Sequence, residues 1–60
     1  MIIAIVNVDG DYMPLKQDDE KMKTFETFQD AQNYCDEHIL AKAYDTTFVN
    51  MESGECEMHR

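Results

Sequence analysis

Residues 27–42 read TFQDAQNYCDEHILAK, and the fold turns on whether this stretch coils. Thr27 followed by Asp30 has the form of a capping box. The Thr hydroxyl accepts from the Asp30 amide while the Asp carboxylate reaches back to the Thr27 amide. Beyond it Phe28, Ala31, Cys35 and Ile39 recur at spacings of three and four, and Tyr34 and Leu40 widen the stripe on its two sides. The pattern predicts one helix over residues 28–42 with those four side chains turned inward. The opposite face then holds Glu26, Gln29, Asp30, Asn33, Asp36 and Glu37, a mostly acidic ridge.

Upstream of this helix, Ile2, Ile3, Ile5, Val6 and Val8 form a dense β-branched run that suits a strand over residues 1–8, buried on one face or both. Asp9-Gly10 follows, a dipeptide that tolerates positive φ at both central positions of a type I′ hairpin. A two-residue loop there sets Val8 opposite Asp11, Val6 opposite Met13 and Ala4 opposite Leu15. Pro14 has no N–H for a ladder, so the second strand belongs at an edge or ends early. Gln17 to Glu20 reads as a polar loop, and Lys21 to Phe25 as a short third strand.

Downstream, Tyr44 to Met51 is again β-rich, and Ser53-Gly54 can close a second two-residue hairpin against Glu55 to His59. Pairing Glu52 with Glu55 puts Met51 opposite Cys56 and Val49 opposite Met58 on a core face. Asn50 then meets Glu57 and Phe48 meets His59 on a wet face. The facing glutamates count mildly against that turn. The order β-β-(β)-α-β-β gives an α+β fold, a small antiparallel sheet of two hairpins with one helix packed on one face. The first strand, being the most apolar, takes the centre with Tyr44 to Met51 as its second neighbour.

Sixty residues suit a single domain, 1–60, which buries only about 60% of its unfolded surface and so has a thin core. The chain is 43% hydrophobic and 30% charged, a balance that supports a core and argues against disorder. Thirteen acidic against five basic residues give a formal charge of −8 and a pI near 4.3. That charge disfavours direct binding to nucleic acid and to anionic membranes, and it favours a partner protein with a basic surface. The apolar run at the start is too short, and too poor in basic flanks, for a signal peptide or a membrane span. The expected location is therefore cytoplasmic, with both cysteines reduced.

Chemistry-bearing patterns are few. Cys35-Asp-Glu-His38 and Cys56-Glu-Met-His59 are two Cys-x-x-His pairs that could together supply a tetrahedral zinc site. In a helix that spacing keeps both ligands on one face, but in a strand it sends Cys56 and His59 to opposite faces. Both cysteines also continue apolar patterns, so packing is the favoured reading, with no metal and no cofactor expected. Asp9-Gly10-Asp11 and Asp18-Asp19-Glu20 cluster oxygens without the spacing of an EF-hand. No phosphate loop or nucleophile elbow is present, Ser53 being the only serine, so an enzyme is not expected.

Two surface features point to binding instead. The acidic ridge repeats carboxylates at about one helical turn, roughly 5.4 Å, which is close to phosphate spacing. Tyr12, Tyr44 and Phe48 fit poorly into a one-sided core, because Tyr44 and Phe48 differ in parity from Val49 and Met51. They are expected to form an aromatic patch on the uncovered sheet face, suited to a homodimer or a partner. The expected function is a small acidic non-enzymatic interaction module, in the manner of a phage-type inhibitor that imitates a polyanion. Its binding residues would be Glu26, Asp30, Asn33, Asp36, Glu37, Tyr44 and Phe48. The alternative is a small-ligand or metal-binding module built on Cys35, His38, Cys56 and His59 or on the aspartate-rich loops.

Overall fold

The computed structural model describes residues 1–17 and 21–60. Its elements run β1 (Ile2–Val8), β2 (Asp11–Pro14), β3 (Thr24–Phe25), α1 (Phe28–Asp36), α2 (Ile39–Ala43), β4 (Asp45–Asn50) and β5 (Cys56–Met58). The strands form one antiparallel sheet in the order β2-β1-β4-β5, with β3 also pairing β1. This is the expected α+β class with β1 at the centre and β4 as its second neighbour. The Asp18-Asp19-Glu20 cluster lies outside the described residues.

The first hairpin has the expected register, with Val8 opposite Asp11 and Val6 opposite Met13. The Leu15 amide donates to the Ala4 carbonyl at 2.8 Å. Asp9 and Gly10 take φ of 54° and 96°, as a type I′ turn requires, and the Gly10 amide donates to Asn7 Oδ1 at 2.8 Å. Because Leu15 donates inward to β1, the nitrogen of Pro14 points outward. The missing N–H therefore costs no ladder bond and leaves the sheet edge short of a donor.

The second hairpin is shifted by two residues from expectation. Val49 faces Cys56, Phe48 faces Glu57 and Thr47 faces Met58. Asn50 is the cause: its Oδ1 accepts from the Glu52 and Ser53 amides at 2.9 and 3.3 Å, and its backbone pairs with Glu55 and Gly54. An Asn side chain that folds back onto the following amides stabilises a longer turn. The longer turn also separates Glu52 from Glu55, and Glu52 instead meets the Met1 ammonium at 2.7 Å.

A shift of two leaves strand parity unchanged, yet the core and wet faces are interchanged. Register with β1 decides this. Ala4 lies opposite Phe48 and Val6 opposite Thr46, and the face carrying Ile2, Ala4 and Val6 is the one covered by the helices. Phe48 is fully buried, and the smallest side chain of β1 sits across from it, leaving room for the ring. Val49, Met51, Cys56 and Met58, expected in the core, belong to the other side, and Met51 and Met58 are exposed.

One helix over residues 28–42 is corrected to two. Thr27 caps α1 with its Oγ1 accepting from the Asp30 amide at 3.1 Å, and Ala31, Gln32 and Cys35 turn inward. The coil then stops. Glu37 is the C-cap, and His38 adopts an extended φ and ψ of −98° and 124° before α2 restarts. The break rotates the next turn, so Ala41 is buried while Ile39 is 83% exposed. Thr46 fastens α2 to β4, its Oγ1 within 3.4 Å of the Ala41 carbonyl.

Candidate interaction surfaces

The acidic outer face of α1 forms as the periodicity predicts. Glu26, Gln29, Asp30, Asn33, Asp36 and Glu37 are all exposed, and Gln29 Nε2 donates to Asn33 Oδ1 at 2.9 Å along the ridge. Asp36 has a second task. Its Oδ1 lies 2.8 Å from His59 Nε2, with the His59 side chain only 7% exposed and its ring edge-on to Phe48 at 6.0 Å between centroids. Asp36 thus anchors the last strand, while Glu26, Asp30 and Glu37 point their charges at solvent. Glu26 precedes the Thr27 cap, so it borders the helix instead of lying on it.

Tyr44 and Phe48 do not form an exposed patch. Phe48 is the centre of the core and Tyr44 packs half-buried against it, because β4 presents its even residues to the helices. Tyr12 does lie on the uncovered face, opposite Asn7 and 73% exposed. Register places Ile3, Ile5, Val49, Thr47, Pro14, Thr24, Cys56 and Met58 on that same side. Met22 joins them, since its neighbour Lys23 reaches the Phe25 and Tyr34 rings on the helix side. Met1 and Met51 close one end, the Met51 amide donating to the Met1 carbonyl at 2.8 Å. Sequence reasoning expected an apolar patch on this face and placed Tyr12 on it, but gave it Tyr44 and Phe48 and put Val49, Met51, Cys56 and Met58 in the core; the double-sided apolarity of β1 was the signal for the aliphatic part.

The two Cys-x-x-His pairs do not converge. Cys35 is fully buried under α1, and burial, aided by the adjacent Asp36 charge, pushes its thiol up to about 11. Cys56 is exposed on the opposite side of the sheet. His38 stacks on Tyr34 with ring centroids 5.7 Å apart, and His59 is engaged with Asp36. No group of three or more His, Cys, Asp or Glu among the described residues is placed to hold a metal ion. Asp9 and Asp11 act as turn and strand-end residues.

The break before α2 leaves a groove of about 380 Å³ lined by Val6, Met13, Leu15, His38 and Leu40. His38 Nδ1 is buried nearby without a hydrogen-bond partner. No helix among the described residues is long and apolar enough to cross a membrane. No protein-family model matches the chain, and no curated protein or solved structure matches it either.

Proposed function

We propose that the chain is a non-enzymatic binding module that engages a basic surface of a partner protein through the outer face of α1. The observation that supports this is the exposure of Glu26, Asp30 and Glu37 along one side of the molecule, flanked by Asn33 and by Asp36. Set on a formal charge of −8, such a row attracts a cationic groove and accelerates encounter with it. Asp30 and Glu37 lie about two helical turns apart, roughly 10.5 Å, with Glu26 ahead of the Thr27 cap; such a row offers a basic groove successive negative charges in place of a polyanion, so the partner class is a protein that handles a polyanion, and the effect on it is inhibition. The fold holds the row rigidly: α1 is capped by Thr27 and pinned to the sheet by Ala31, Gln32 and Cys35.

The test is affinity capture with the wild-type chain and with the triple variant Glu26→Gln, Asp30→Asn, Glu37→Gln, each at low and high ionic strength. The wild type should retain its partner at low salt and release it as screening sets in over about 10 Å at 0.1 M. The variant should retain little at either. Capture that is indifferent to salt, or equal for the two chains, refutes the proposal.

A further inference from the structure

We infer that the uncovered sheet face is an interface between two copies of this chain, packed sheet against sheet with the helices outward. Three observations converge on a second copy. The face is apolar at its centre, where Ile3, Ile5 and Val49 lie, and Tyr12, Pro14, Met22, Cys56 and Met58 surround them, with Asn7, Thr24, Thr47 and Lys16 as its uncharged and basic members. Tyr12 is 73% exposed, Met58 55%, Met51 56%, Met1 50% and Met22 41%, which is unusual for side chains of that size.

Charge selects the occupant. Two chains of −8 repel one another over most of their surfaces, and they can approach closely only where carboxylates are absent. Among the described strand residues, register places a single carboxylate, Asp45, on this side, at the corner beside Asn7. At the other end Glu52 is neutralised by the Met1 ammonium at 2.7 Å. The open face is therefore the near-neutral region on which two copies can meet, and a basic protein would be drawn to α1 instead.

Area is sufficient. At roughly 200 Å² for a large side chain, the five exposures above leave about 500 Å² on each copy, against ~800 Å² per partner in a standard interface. Ile5, Pro14, Val49 and Cys56 make up much of the difference. Sheets that pack face to face interdigitate at about 10 Å, and methionines, with three rotatable bonds, fill such a seam readily. A two-fold axis lying in the plane between the two faces brings the same residues of both copies together.

Sedimentation equilibrium between about 1 and 500 μM, under reducing conditions so that Cys56 stays a thiol, tests the inference. The expected result is association to twice the 7.0 kDa chain mass that tightens as salt rises, because salt screens the repulsion between copies. Tyr12→Lys with Met58→Lys should weaken association at least tenfold while leaving the circular dichroism spectrum unchanged. Ile39→Lys, on the helix side, should leave association as it is. A 7.0 kDa species at every concentration, or a dimer indifferent to the Tyr12 and Met58 substitutions, overturns the inference. Neither result bears on the acidic ridge, whose partner capture weakens with salt.

Discussion

Gln32, buried on the inner face of α1, donates from Nε2 to the Met58 carbonyl at 2.9 Å, and its Oε1 accepts from the Arg60 amide at 3.2 Å. One side chain thereby satisfies a backbone acceptor at the end of β5 and a backbone donor two residues beyond it, and ties that segment to the helix. Gln32→Leu keeps the volume but leaves these groups without partners. It should cost about 1–3 kcal/mol in denaturant melts and speed hydrogen exchange at Arg60 by the same opening.

The break between α1 and α2 reverses the expected importance of two residues. Ile39→Lys should change stability by no more than about 0.5 kcal/mol, as an exposed substitution does. Phe48→Ala should cost about 3–5 kcal/mol by emptying the centre of the core. A continuous helix with Ile39 inward would give a large loss for the first substitution, so the pair of melts discriminates between the two arrangements.

Cys35 makes stability fall in alkali. Its thiol ionises near the ordinary value of 9.0 when unfolded and near 11 in the fold, so the unfolded chain is the one that loses the proton first. The stabilisation is complete below pH 9 and is lost as pH rises towards 11, by about 2–3 kcal/mol. Cys35→Ala should lower stability at neutral pH and flatten that alkaline slope. Thiol reagents at neutral pH should modify Cys56 rapidly and Cys35 only as the chain opens.

Acid acts at the opposite end of the molecule. The Met1 ammonium, through a hydrogen bond and then through its charge, holds the Glu52 carboxyl below its usual range. A depressed folded value means that the contribution is present above the ordinary value of 4.5 and is lost as pH falls through the folded one. Glu52→Gln should remove that part of the acid dependence in melts run from pH 6 to pH 2, by lowering stability slightly at pH 6 and leaving it nearly unchanged at pH 2.

What the sequence disclosed and what it withheld have separable causes. The first hairpin, the Thr27 cap and the acidic face were legible because each rests on neighbours in the chain: Asp9-Gly10, Thr27 with Asp30, and the three-and-four spacing of Phe28, Ala31 and Cys35. The helix break was not, since Ile39 continues that spacing and nothing as strong as proline marks His38. The sheet face was not, because β1 is apolar on both sides. Which of Phe48 or Val49 goes under the helices then depends on the register with Ala4, a contact 44 residues away in sequence. The acidic residues expected at the surface are therefore exposed, whereas Tyr44 and Phe48, expected on the uncovered sheet face, turn to the helix side.

The outward nitrogen of Pro14 bears on how self-association ends. Strands lengthen into fibres by recruiting neighbours at open margins, and here one margin, β2, lacks an amide at Pro14 while the other, β5, spans only Cys56–Met58. Growth by strand addition is discouraged on both flanks. Stacking through the flat side, as inferred above, would join two molecules and leave no further flat side to offer, so such an assembly would close as a discrete pair and not propagate into a filament.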